Sequence, residues 1–229
     1  MGTLLLLRHG RTSANANGIL AGRLPGIELD EVGLASCELL RNKFADLDVK
    51  QVFASPLERT VQTANQIFPN HSVTHVPELI ECEYGDWTGR KLSDLAKEPL
   101  WPVVRDTPHL AEFPNGETMQ QMSDRAVSAI ARIDQELTEQ FGKNFIWAAV
   151  SHGDVIKAII ADALGLELAK FQRIYVEPAS VSVLNFTENG PSVMKVNESG
   201  DGWLTAWAKI NEEKLAEPTV GGQTGSETK

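Results

Sequence analysis

The dipeptide His-Gly occurs twice in this chain, each time directly behind an apolar run. The first is Leu4-Leu5-Leu6-Leu7-Arg8-His9-Gly10; the second is Phe145-Ile146-Trp147-Ala148-Ala149-Val150-Ser151-His152-Gly153. Continuous apolar runs of this length suit strands covered on both faces, as in parallel sheets. In such a sheet, ligands bind beyond the carboxyl ends of the strands, where the strand order reverses. Two histidines delivered to that edge can face each other. The glycine behind each lets the backbone turn sharply and lets a ligand come close. Asp154 then opens a helix whose first amides favour an anion.

The rest of the chain fits the same plan. Gln51 to Ala54 is expected as a further strand, and Ser55-Pro56-Leu57-Glu58 as a helix start. Ser55 is its expected N-cap, Pro56 the first helical residue and Glu58 the partner that closes a capping box. That helix should run to about Phe68 and carry Arg59 in its first turn. Further helices are expected over Leu29 to Leu47 with Asp30 as cap, over Glu117 to Phe141, and over Asp154 to Leu164. Ser180 to Phe186 and Val193 to Val196 read as a hairpin around Glu188-Asn189-Gly190. Residues 69–115 are irregular, with Pro69, Pro77, Pro99, Pro102, Pro108 and Pro114, six of the chain's eleven prolines. The expected fold is therefore α/β: three layers, a doubly wound and mostly parallel sheet flanked by helices, a small irregular insertion over the site, and a terminal hairpin. Residues 1–212 are expected as one catalytic domain, with about 69–115 as its cap, and 213–229 as a flexible tail.

Arg8, His9, Arg59 and His152 would converge at one edge of that sheet. A compact cationic pocket of this kind suits a phosphoryl group, whose oxygens match the planar guanidinium forks. The net charge of −10 argues against non-specific binding to nucleic acid or anionic membranes, but not against a small anion met by a local arginine cluster. The apolar start is too short for a signal peptide, Leu6 occupies the place where a myristoylation motif needs Ser or Thr, and no run approaches a membrane span. A cytoplasmic location is expected. Cys37 and Cys82 have no metal-ligand spacing and are expected as free thiols. His71 and His75 lie four apart, but Pro69, Asn70 and Pro77 argue against a helix there, and no third ligand is near. Neither a metal nor another cofactor is expected. Trp87 and Trp101 read as packing residues, Gly116-Glu117 as the start of the long helix, and Arg23 equally as a specificity residue or a solvated loop arginine. Glu81 and Glu83 are both candidates for a general acid; two apart, they share a face of an extended chain. Periodicity does not choose between them.

Five blocks carry a resemblance. They are Leu6-Leu7-Arg8-His9-Gly10-Arg11-Thr12, Ser55-Pro56-Leu57-Glu58-Arg59-Thr60-Val61-Gln62-Thr63-Ala64, Glu81-Cys82-Glu83-Tyr84-Gly85-Asp86-Trp87-Thr88-Gly89, Pro114-Asn115-Gly116-Glu117 and Val150-Ser151-His152-Gly153. In this order they resemble the histidine phosphatase superfamily, in its phosphoglycerate mutase-like branch and including actinobacterial members, over residues 3 to about 165. The resemblance implies that His9 becomes phosphohistidine and that Arg8, Arg59 and His152 hold the phosphoryl oxygens with help from Asn15. It implies that the acid is Glu81, four residues before the glycine of its Tyr-Gly pair, and that the Gly22-Arg23 segment lies where relatives contact the substrate. The implied catalytic set is His9, Glu81 and His152; the implied substrate-binding set is Arg8, Asn15, Gly22 and Arg59.

Departures from the mutase pattern favour a metal-independent phosphatase. Leu92 stands where mutases carry a lysine, Arg90 and Arg105 do not form their arginine pair, the segment from Gly89 to Gly116 is short, and Asp154 replaces an asparagine and would repel a substrate carboxylate. A cofactor-dependent phosphoglycerate mutase-type phosphomutase is the alternative. A non-catalytic phospholigand-binding module is a second one, disfavoured by retention of the whole set. The expected partner is a small phosphorylated metabolite, with no nucleic acid and no membrane; oligomeric state is open, a homodimer included.

Overall fold

The computed structural model describes residues 1–199. The strands are β1 (Thr3–Arg8), β2 (Val49–Ala54), β3 (Val73–His75), β4 (Ile146–Ser151), β5 (Val181–Thr187) and β6 (Gly190–Glu198). The helices are α1 (Ser13–Ala16), α2 (Glu31–Phe44), α3 (Glu58–Ile67), α4 (Leu92–Leu95), α5 (Trp101–Asp106), α6 (Met119–Phe141) and α7 (Gly153–Ala163). All six strands form one sheet in the order β3-β2-β4-β1-β5-β6. β3, β2, β4 and β1 run parallel, and the terminal hairpin joins the same sheet, with β5 antiparallel to β1.

The apolar run of β1 conceals a strict alternation. Leu4 and Leu6 enter one core with Trp147 and Ala149 of β4 and with residues of α6 and α7, such as Ile130 and Ile156. Leu5 and Leu7 enter the other, with Ala148 and Val150 of β4, Cys37 and Leu40 of α2, and Ala64 and Ile67 of α3. A central strand that faces helices on both sides has no polar face to show. This produces the three-layer sandwich expected from the sequence.

Three local expectations need correction. α3 begins at Glu58 with Leu57 as an extended N-cap (φ −73, ψ 145) and no side-chain cap bond. The capping box on Ser55 does not form: its hydroxyl meets His152 and the Leu57 amide, its own amide donates to Val150 O, and the Glu58 carboxylate accepts from the Gly26 amide. α6 begins at Met119, where Thr118 and Gln121 form the reciprocal capping box, so Glu117 lies outside the helix. Within residues 69–115, the short strand β3 pairs in parallel with β2. β6 starts at Gly190, well before Val193. The expected domain end at 212 and the tail over 213–229 lie outside the described residues.

Beyond β3 the chain folds as short turns around buried aromatic residues. Trp87 stacks on Trp101 at 6.1 Å and meets Phe113 edge-on at 5.4 Å, so both tryptophans pack the insertion. The segments 81–87 and 113–117 touch through glycines: a Cβ on Gly85 would sit 1.9 Å from the Pro114 carbonyl, and one on Gly116 would sit 2.1 Å from that of Glu83. Cys37 and Cys82 are buried free thiols. No described helix is long and apolar enough to cross a membrane.

Core position should set the cost of truncation. Leu6→Ala, at a site with 0 % exposure, is expected to lose about 3 kcal/mol in urea unfolding. Leu110→Ala, at 66 % exposure, should change stability by less than about 0.5 kcal/mol.

Candidate active site

Strand register builds the site. Arg8 pairs with Ser151 and Ala54 with Val150, so β1, β4 and β2 end level. One more ladder bond follows on each side, from His9 N–H to Ser151 O and from Ser55 N–H to Val150 O, both 3.0 Å. His9, Ser55 and His152 therefore emerge side by side, with the two imidazoles 5.3 Å apart and tilted by 59°.

His9 is held in one tautomer. Its Nδ1 lies 2.8 Å from the Gly10 carbonyl oxygen, which can only accept, so Nδ1 carries the proton and Nε2 keeps its lone pair. Burial, then the Arg59 and Arg8 charges, hold His9 well below the ordinary histidine range. The ring is therefore neutral at physiological pH. The Gly10 amide donates to Thr63 Oγ1 (2.9 Å), which fixes the bend after the ring.

His152 takes the opposite tautomer. Arg59 Nη2 donates to its Nδ1 at 3.2 Å, so its proton is on Nε2 and is given to Ser55 Oγ at 2.8 Å. Ser55 is thus a pocket residue that reading it as a helix cap concealed. Arg59 also donates from Nη2 to the Gly22 carbonyl at 2.8 Å, while its Nε and Nη1 are buried with no hydrogen-bond partner. Leaving buried donors unsatisfied costs about 1–3 kcal/mol each, and an oxyanion would satisfy both. Arg8 is fully buried beside it and donates from Nη1 to the Val176 carbonyl at 2.8 Å.

Two expected binding residues act on the pocket's frame. Gly22 has φ +53, and a Cβ there would lie 2.8 Å from Thr88 Oγ1; its carbonyl orients Arg59. Asn15 commits its side-chain oxygen to the Thr12 amide (3.1 Å) and hydroxyl (2.9 Å) in the capping box of α1, which leaves its NH2 as the donating end.

Burial separates the two candidate acids. Glu81 is 3 % exposed, and its Oε1 accepts from the Cys82 amide at 2.9 Å. Desolvation and the Asp154 charge raise its carboxyl to about 7, against the opposing pull of Arg59, the Cys82 amide and Arg8. Glu83 is 36 % exposed at its side chain and pairs with Arg23 at 3.2 Å. Arg23 is not simply solvated: it bonds to Glu83, Glu117 and the Glu81 carbonyl.

Asp154 is fully buried, with Tyr84 O–H donating to Oδ2 at 2.9 Å and Lys157 Nζ 3.6 Å from Oδ1. Its charge is partly met by Lys157, one helical turn on, and still acts on Arg8 and Glu81. Lys157 in turn donates to Gln172 Oε1 at 3.0 Å. Among the described residues, no group of three or more His, Cys, Asp or Glu is placed to hold a metal ion.

A neutral imidazole with an open lone pair, two fixed guanidiniums and a carboxyl poised near neutrality can together transfer a phosphoryl group. The imidazole can attack phosphorus, the cations can bind its oxygens, and the carboxyl can protonate the departing oxygen.

Known proteins share this plan. Residues 4–199 match the model of the histidine phosphatase superfamily (branch 1). The chain is 30% identical to an acid phosphatase of Mycobacterium tuberculosis over 80% of this chain and 86% of that protein. It is 26% identical to phosphoserine phosphatase 1 of Hydrogenobacter thermophilus over 85% and 91% respectively. The crystal structure of the alpha-ribazole phosphatase from Shigella flexneri superposes with a TM-score of 0.74 at 28% identity, covering 86% of this chain and 96% of that one.

The Glu81 environment predicts a stability signature. A carboxyl raised from 4.5 to about 7 favours folding fully below its unfolded value, and that contribution is lost as pH rises towards about 7. Glu81→Gln removes the penalty. At pH 8 the variant should be more stable than the parent by about 2–3 kcal/mol in urea melts, a gain that shrinks as pH falls below about 7 and levels off near 4.5. The lowered histidines are common to both proteins and cancel in this comparison.

Proposed function

This chain belongs to the histidine phosphatase superfamily (branch 1), and from that premise we propose that it is a metal-independent phosphatase of a small phosphomonoester, working through phosphohistidine on His9. The observation that carries the reading is the pairing of two buried features. One is the neutral His9 with Nε2 open; the other is Arg59, with two N–H-bearing nitrogens that lack protein partners.

In the first step His9 Nε2 forms a bond to phosphorus as the ester P–O bond breaks. The leaving oxygen takes the proton of Glu81. Arg8, Arg59 and His152 stabilise the charge on the transferring oxygens, so no metal is needed for that task. In the second step the ionised Glu81 accepts a proton from water, whose oxygen bonds to phosphorus as the P–Nε2 bond breaks. Inorganic phosphate leaves and the site is restored.

The choice of water as acceptor rests on what would hold a bisphosphorylated intermediate. Leu92 replaces a cation, Arg90 is paired with Glu98, and Arg105 is paired with its neighbour Asp106. Each charge-assisted hydrogen bond to a bound anion is worth about 1.5–3 kcal/mol, so losing two lets the intermediate escape or hydrolyse. The phosphatases among its relatives agree with this choice.

Two measurements test the reading. Acid-labile, alkali-stable phosphate should label His9 during turnover in the presence of EDTA, and His9→Ala should lose both label and activity; label on another residue overturns the mechanism. With 3-phosphoglycerate and catalytic 2,3-bisphosphoglycerate, phosphorus NMR should show free phosphate forming faster than 2-phosphoglycerate. Isomer exchange that outruns phosphate release assigns the protein to the mutases.

A further inference from the structure

The carbonyl of Glu81 accepts from two arginines that come from different parts of the fold. Arg23 Nε reaches it at 2.8 Å from the loop after α1, and Arg125 Nη2 at 3.2 Å from α6. Both arginines converge again on one carboxylate. Glu117 Oε1 accepts from Arg23 Nη2 (2.8 Å), Arg125 Nη2 (2.6 Å) and the Glu83 amide (2.9 Å), while Oε2 accepts from Arg125 Nε (3.1 Å). Arg125 Nη1 donates to the Glu78 carbonyl, and the Glu117 amide donates to the Glu83 carbonyl at 2.9 Å. With the Arg23–Glu83 pair, the cluster holds two positive and two negative side chains around one peptide group.

We propose that Arg125 and Glu117 are positioning residues for the general acid, fixing the Glu81 backbone so that its buried carboxyl is held in place. This rests on the reading of Glu81 as that acid. The geometry explains how the grip avoids disabling what it holds. The arginines bond to the carbonyl and not to the carboxyl, so they orient the residue without drawing off its proton. Their charges are matched locally by Glu117 and Glu83. All three guanidinium nitrogens of Arg125 are bonded, and they span Glu78 to Glu117, so one side chain sets the path of the whole acid loop.

The test separates positioning from general damage through the leaving group. p-Nitrophenyl phosphate releases a phenolate that departs without protonation, whereas an alkyl phosphate such as glycerol phosphate needs the acid. Arg125→Met should lower kcat for glycerol phosphate about ten-fold or more, within the range of general acid effects, with KM and the p-nitrophenyl phosphate rate nearly unchanged. Arg125→Lys, which keeps the charge and one donor, should recover part of the loss and serves as the variant least disruptive to folding. Introduced into Glu81→Gln, either change should have no further effect on glycerol phosphate, since residues acting as one unit are not additive. Equal losses on both substrates, no loss on either, or full additivity with Glu81→Gln would each overturn the proposal. If Glu81→Gln itself fails to discriminate between the substrates, the acid assignment falls first and the positioning role falls with it.

Discussion

Two guanidinium groups lie buried at one end of a parallel sheet, and the surrounding structure is organised by the cost of keeping them there. Removing Arg8 and Arg59 from water is unfavourable, and burial lowers both from the ordinary arginine value. The compensation is spread out. Backbone carbonyls of Val176 and Gly22 each accept one donor, and the charges of Glu81 and Asp154 lie close enough to act on Arg8. Burial, with these same cations adding to it, keeps His9 and His152 neutral, so the ring proposed as nucleophile is prepared in part by the groups proposed to bind its target.

A second tier of charge stands behind the first. Asp154, Lys157, Tyr84 and Gln172 form a buried polar chain between α7 and the insertion. It places one negative charge below Arg8 and beside Glu81. A carboxylate there holds the cation in place and at the same time resists ionisation of the neighbouring carboxyl. The arrangement lets a buried acid coexist with two buried arginines that would otherwise strip its proton.

How much of this could be read from the chain depends on whether the signal was local. The twin His-Gly turns behind apolar runs located the sheet edge, and the alternating packing of Leu4 to Leu7 confirmed why those runs look uninterrupted. The α2 cap at Asp30 followed from residue type alone. Ser-Pro-x-Glu is a helix-start pattern by composition, whereas the Ser55 hydroxyl meets a histidine 97 residues away. By composition Glu117 also suits the start of α6, although Thr118 is the better cap and Glu117 has partners on two other segments. Arg125 carries no signal at all: on a long helix with charged residues along it, it is one of two arginines. The side-chain direction of Asp154 depended on Tyr84 and Lys157 packing beneath it, which no spacing rule encodes.

The level register of β1, β4 and β2 has a consequence for how the protein comes into being. Contacts that join the site link residues 53, 93 and 97 positions apart, as in Gly10 to Thr63, Arg59 to His152, and Ser55 to His152. No single hairpin or helix pair contains them. During synthesis, the first histidine leaves the ribosome long before β4 exists to stand beside it, and pairing over such distances is the slow part of assembling a sheet. A nascent or half-unfolded copy therefore holds the pocket side chains it has yet made and none of the assembled pocket. Recovery of turnover during refolding is consequently a clock for topological completion, insensitive to the helices that form early.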